Sequence, residues 1–196
     1  MILPIIAYGD PVLRKKAEDI SADYPNLKGL IDDMYETMNN AYGVGLAAPQ
    51  VGLSIRLFAV NTAPFAKDDE LSKEEQAFLS DFKQIFINAQ ILEETGDEWA
   101  FNEGCLSIPD VREDVFRKSD ITIEFYDENF KKHTQQFSGL AARVIQHEYD
   151  HIEGILFTDK LSTLKKKLLK NRLENISKGK TFPDYKMKFP LLSKKR

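Results

Sequence analysis

The sequence predicts an α+β fold. Mixed or antiparallel β-sheets pack around a central buried helix carrying His147-Glu148-Tyr149-Asp150-His151, with one helix near the N-terminus and another near the C-terminus. Three observations predict it. Ile121-Thr122-Ile123-Glu124-Phe125-Tyr126 alternates apolar and polar residues, the period of a half-buried strand, and Asp127-Glu128-Asn129 turns it into a return strand ending near Phe137. Leu140, Ala141, Val144, Ile145, Ile152 and Ile155 recur at helical spacing around the two histidines. The strands precede this helix in the chain, the order of an α+β domain.

Asp10-Pro11-Val12-Leu13-Arg14 begins a turn-rich start. Leu27, Leu30, Ile31, Met34 and Met38 follow the i, i+3, i+4, i+7 pattern. That spacing predicts an amphipathic helix over residues 25–40, with Pro25 tolerated in its first turn. Gly43-Val44-Gly45-Leu46-Ala47-Ala48-Pro49-Gln50 reads as a tight loop where backbone can approach a ligand closely. It lacks the Gly-Lys-Ser/Thr ending of a phosphate loop. Residues 55–60 and 85–92 read as strands. Residues 62–83 are charged and read as an inserted surface excursion; Ser72-Lys73-Glu74-Glu75 has capping-box form and predicts a short helix over 72–80. Ser138 fits an N-cap of the histidine helix, and Gly154 its C-terminal stop. Leu161, Leu164, Leu168 and Ile176 predict a last amphipathic helix, leucines on the body and lysines outward.

A chain of 196 residues suits one domain, read as residues 1–180 followed by a basic tail at 181–196. One cysteine excludes an internal disulfide and fits a reducing compartment. No stretch approaches the ~18 apolar residues that cross a bilayer, so no membrane partner is expected. The N-terminus lacks the basic region of a signal peptide. The expected location is the cytoplasm, or an organelle if a transit segment precedes this sequence. The net charge of −4 hides an asymmetry: from Lys160 onward there are 13 Lys and Arg against 2 Asp and Glu, and the rest of the chain is acidic. A basic end on an acidic body suggests a polyanionic neighbour, against the plainer reading of a solvated end.

Residues i and i+4 of a helix lie on one face, so His147 and His151 can share a metal ion. Glu148 then sits beside the water the metal activates, as a general base. A mostly buried helix makes an unpartnered Glu148 costly, which favours a site over a solvated face. An open catalytic site of this type takes three protein ligands, and the two histidines supply only two.

Three segments, Gly43 to Gln50, Glu103-Gly104-Cys105-Leu106-Ser107 and Gln146 to His151, together resemble the motifs of the peptide deformylases, in order and in letters. The resemblance extends from Asp10-Pro11-Val12-Leu13-Arg14 to the helix after His151. It implies that Cys105 is the third ligand, with His147 and His151, of one divalent ion. That ion would be Fe(II) in the native protein, with Zn(II), Ni(II) or Co(II) also suited to a thiolate and two imidazoles. It implies removal of the formyl group from the N-terminal formyl-methionine of new polypeptides. Glu148 would take a proton from the attacking water and pass it to the leaving nitrogen. The Gln50 amide and the Leu106 backbone N–H would stabilise the oxyanion. Gly45 and Val44 would lie along the substrate, Gly45 letting its backbone pass close to the metal. Gly43 to Leu46 and Val144 would wall a pocket for the methionine side chain. Glu103 and Arg117 resemble a family ion pair that braces the cysteine strand. The insertion at 62–83 and the long basic tail depart from the family pattern and touch no motif. They bear on local structure and partners, including ribosomal RNA, rather than on chemistry. His133 lies outside every motif and reads as a surface residue.

Two other readings use the same residues. A metallopeptidase with this helix would need a distant glutamate or a third histidine; Phe157 stands where the third histidine would be. A structural metal module docked on ribosomal RNA would need a fourth protein ligand, and only His133 or a carboxylate is left to supply one.

Overall fold

The computed structural model describes residues 1–191; the last five residues of the expected basic tail lie outside the described residues. β1 (Ile5–Ile6) and α1 (Leu27–Asn40) open the chain. A five-stranded antiparallel sheet follows, its neighbours in chain order: β2 (Gly45–Ala47), β3 (Leu57–Asn61), β4 (Lys83–Cys105), β5 (Ile108–Tyr126) and β6 (Lys132–Ser138). α2 (Lys73–Asp81) lies between β3 and β4. After β6 come α3 (Gly139–Ile152), α4 (Thr163–Ser177) and β7 (Met187–Lys188). β7 pairs in parallel with β1, outside the main sheet.

At β3 the sheet is buried on both faces, which explains the unbroken apolar run Leu57-Phe58-Ala59-Val60. Phe58, Val60, Phe86 and Phe125 point to the α3 side and pack with Ala142, Ile145 and Ile152. The Phe86 ring lies 4.7 Å from Phe58 and 4.4 Å from Phe125. Leu57, Ala59, Ile85 and Ile87 point the other way, onto Ile31, Met34 and Met38 of α1. A third cluster joins Ile108, Val111 and Val115 of β5 to Leu173 and Ile176 of α4.

Several elements match the sequence expectation, including α1 and α2. Ser72 and Glu75 form the capping box, and Thr62 Oγ1 donates to the Leu79 carbonyl at 2.8 Å, tying the insertion to the sheet. Gly154 ends α3 with φ +75°, and a Cβ there would lie 2.7 Å from the Arg14 carbonyl oxygen, so only glycine fits.

Other elements differ. The segment expected as a tight loop is a strand (Gly45–Ala47) and a 3₁₀ turn (Ala48–Val51) from Gly45 onward. The strand expected at 85–92 runs on to Cys105. Its exposed middle lacks apolar alternation and is held by cross-strand pairing with β5, such as Glu94↔Ile121 and Phe101↔Val115. Ser138 makes no capping bond; its hydroxyl donates to Asp120 at 2.5 Å. In α4 the expected leucine face is only half used. Leu164 and Leu168 are 67% and 72% exposed, and Leu161, Leu173 and Ile176 carry the packing. His133 is half-buried, 2.7 Å from Asp127 and stacked on Phe125. No helix among the described residues is long and apolar enough to cross a membrane.

Candidate active site

α3 sets His147 and His151 one turn apart, with ring centroids separated by 5.1 Å. Cys105 ends β4, and Leu106 and Ser107 make the turn into β5. Folding the β4–β5 hairpin over α3 brings Cys105 Sγ to 3.3 Å from His151 Nε2. The candidate ligand atoms of Cys105, His147 and His151 all lie within 4.8 Å of one another. His147 Nδ1 faces Glu103 Oε2 at 2.9 Å, which fixes the ring and leaves Nε2 for a ligand's role.

Glu103 is the hub behind this triad. Arg117 grips it with both fork nitrogens, at 2.7 and 2.9 Å, and reaches Asp150 of α3 at 2.7 Å. Arg143 adds a 3.1 Å bond to Glu103 and donates to the Val115 and Trp99 carbonyls, its guanidinium lying 4.4 Å over the Trp99 ring. Burial alone would raise the Glu103 carboxyl, but Arg117 and His147 hold it well below the usual carboxylate range. Glu103 therefore stays an anion at any physiological pH. The network clamps the hairpin tip to α3 through buried, bidentate pairs.

Glu148 lies on the same helix, buried, with Oε2 free of any hydrogen bond among the described residues. Burial is the main cause pushing its pKa up, to about 7. Gly45 of β2 is its immediate neighbour. A Cβ at Gly45 would stand 2.3 Å from Glu148 Oε1, so this glycine makes room for the carboxylate. Gln50 is buried in the 3₁₀ turn. Its side-chain oxygen accepts from the Ala47 N–H at 2.8 Å, which turns its amide nitrogen toward Cys105 Sγ at 3.5 Å and Ser107 Oγ at 3.4 Å. Gly43 backs onto Leu106, where a Cβ would meet Cδ1 at 2.8 Å. The three sequence motifs thus meet at one point.

These residues floor a cleft of about 560 Å³, lined also by Val44, Val144 and Leu106. Segments expected to stay clear of the motifs reach it as well. Phe65 of the insertion lines the cleft and meets Phe101 edge-on at 6.1 Å. Residues 182–185 of the C-terminal segment form part of its wall. Sequence reasoning missed these, as well as Arg143 and Asp150. For the last two there was a signal: charged residues inside a stretch of helix otherwise read as buried. A lone phenylalanine in a charged segment carries none.

The donor set fits a divalent transition metal: one sulfur and two imidazole nitrogens, a soft and borderline combination suited to iron or zinc. The two imidazoles sit in different fields. Burial disfavours an imidazolium at His147, yet hydrogen bonds to Cys105 and Glu103 outweigh it and raise its pKa well above the ordinary value. Burial, then the charges of His147 and Arg117, drop His151 well below it. Both rings would ligate a metal in their neutral form, so a bound cation at this centre would replace the proton on His147. An unpartnered, buried Glu148 oxygen beside that centre completes a constellation for water-dependent hydrolysis.

Comparison with known proteins gives a consistent picture. A family described as Polypeptide deformylase matches residues 2–167. The peptide deformylase of Christiangramia forsetii is 69% identical over 196 residues, covering all of both chains, and that of Flavobacterium johnsoniae is 63% identical over the same span. Among solved structures, a peptide deformylase from Legionella pneumophila superimposes with a TM-score of 0.75 at 34% identity, covering 92% of this chain and 98% of that one. A plant peptide deformylase, PDF1B, gives a TM-score of 0.77 at 34% identity, covering 91% and 90%.

Proposed function

The chain belongs to the polypeptide deformylase family, a hydrolase removing the formyl group from the N-terminus of nascent polypeptides, and from that premise we propose which of its atoms do so. Cys105, His147 and His151 would hold one divalent metal ion, Fe(II) in the native protein with Zn(II), Ni(II) or Co(II) able to substitute. When bound, that ion supplies Lewis-acid activation of water and of the formyl oxygen at neutral pH. Glu148 takes the proton as water attacks the formyl carbon, then delivers it to the nitrogen as the C–N bond breaks, giving formate and a free amine. Its buried, unpartnered Oε2 supports this role. Gln50, held by the Ala47 N–H, offers its amide hydrogens to the developing oxyanion, and the Leu106 backbone N–H is the second donor. Glu103 and Arg117 act by holding His147 and the hairpin tip in position. The methionine side chain enters between Gly43, Val44, Gly45 and Val144, where burying it contributes roughly 1.5–3 kcal/mol.

The convergence of three separated motifs carries the reading: Gly45 against Glu148, Gln50 against Cys105, Cys105 against His151. The test is metal content measured anaerobically together with turnover of a formyl-Met peptide. The expected result is about one metal per chain and formate release that stops on chelation. Chelation should also turn Cys105 from slowly to rapidly labelled by a thiol reagent, because a coordinated sulfur is a poor nucleophile toward the label. Rapid labelling of fully metallated protein would remove Cys105 from the ligand set.

Nascent chains are cytoplasmic, and we propose the same location for the enzyme. A second reading concerns α4, where Lys166, Lys167, Lys170 and Arg172 are exposed beside Leu164 and Leu168. This face suits the polyanionic surface of a ribosome. Co-sedimentation should then weaken steeply with added salt, and equal co-sedimentation of a variant with these four basic residues neutralised would refute it.

A further inference from the structure

One wall of the cleft comes from outside every motif. Phe182, Pro183, Asp184 and Tyr185 line the same space as Cys105, His147 and Glu148. This segment is pinned along its length. Upstream, Leu173 and Ile176 of α4 are buried against β5. Thr181 Oγ1 bonds Asp110 at 3.2 Å. The Tyr185 hydroxyl donates to the Leu106 carbonyl at 2.8 Å, at the hairpin tip beside Cys105. Downstream, β7 pairs with β1. A strap fastened at four points is part of the site's architecture, not a trailing end.

Phe182 stands apart from its anchored neighbours. It is 93% exposed, and Tyr42, just after α1, is 88% exposed. These are the two most exposed large apolar side chains among the described residues, and both line this one cleft. Scattered exposed apolar residues need no explanation, but two aromatics at the mouth of a substrate cleft do. Aromatic rings contribute contact area at low entropic cost, since only two torsions are frozen. A peptide substrate leaving the cleft has side chains to meet them.

We propose that the C-terminal strap presents Phe182 as a specificity residue: with Tyr42 it forms an aromatic rim that takes an apolar side chain of the substrate downstream of formyl-methionine. This rests on the deformylase reading above. The rim leaves bond cleavage to the motif residues and acts on which nascent chains are held longest.

The test uses the metal-loaded full chain and formyl-Met-Xaa-Yaa peptides in which Xaa or Yaa is Phe, Leu or Ser. In the wild type, kcat/KM should favour Phe or Leu over Ser at one of the two positions by roughly three- to tenfold, the scale of a single aromatic contact, and mainly through KM. Phe182→Ala should collapse that ratio to within about twofold, and Phe182→Trp should keep it. Phe182 has no buried contacts to lose, so Phe182→Ala should fold normally, which its thermal unfolding checks. A Phe182→Ala ratio equal to wild type, or a wild type without preference at both positions, overturns the rim. In those outcomes formyl-Met-Ser-Ser is still deformylated, so the function stands. Absence of turnover with every formylated peptide would overturn both.

Discussion

Helices α3 and α4 are nearly equal in length, 14 and 15 residues, and both show leucine or isoleucine stripes in sequence, yet ten residues of α3 are buried and only three of α4. The difference lies in their polar residues. α3 buries Arg143, Gln146, Glu148, Asp150 and His151, and the β4–β5 hairpin meets most of them with Glu103, Arg117, Glu94 and backbone carbonyls. α4 offers a run of lysines, and among the described residues only Lys165 of them finds a carboxylate on the body, Glu113 at 2.7 Å. Unmatched charges keep the helix in water, and its last turns alone dock through Leu173 and Ile176. An apolar stripe permits burial; partners for the charges beside it decide how much.

This comparison can be broken or sharpened by substitution. The largest expected effect is Glu148→Gln on α3. The amide is nearly isosteric but cannot accept the proton, so kcat should fall ~10²–10⁴-fold with metal content unchanged. Near-normal turnover in metal-loaded protein would end the proposed role. Next is Gly45→Ala, whose methyl would displace the Glu148 carboxylate. A shift of that kind costs roughly 10²-fold in kcat/KM, and a crystal structure should show Glu148 rotated away. An unchanged rate would mean that the carboxylate has slack in its site.

Arg117→Met attacks the clamp between hairpin and helix. It leaves Glu103 and Asp150 buried with fewer partners, which destabilises by roughly 3–5 kcal/mol, read from denaturant unfolding of the apoprotein. Metal affinity should fall about 10–100-fold, because Glu103 no longer holds His147 firmly. Normal affinity would show that the clamp serves the fold only. The smallest effect belongs to the exposed face of α4. Leu173→Ala should cost about 2–5 kcal/mol, and Leu168→Ala, at an exposed position, within roughly 0.5 kcal/mol. Equal losses at the two sites would mean that α4 docks along its whole length.

By itself the sequence determined the pieces whose physics is local. Helical period set His147 and His151 on one face, with Glu148 beside them. The capping box at Ser72 and Glu75 and the glycine stop at Gly154 are where their chemistry requires. The three motif segments could be read as one site through their resemblance, in order and in letters, to the motifs of the peptide deformylases. Tertiary structure decided what depends on neighbours distant in the chain. Local period cannot report that Glu103 receives Arg117, Arg143 and His147, or that Gly45 is small because Glu148 lies against it. Nor can it report that β4 runs through a polar middle, since only β5 holds that stretch in a sheet. Phe65 and Phe182 sit in segments whose composition reads as solvated. They join the cleft because Thr62 ties the insertion to the sheet and β7 returns the chain to β1. Such joins rest on contacts between residues far apart in sequence, and no window of neighbouring letters encodes them.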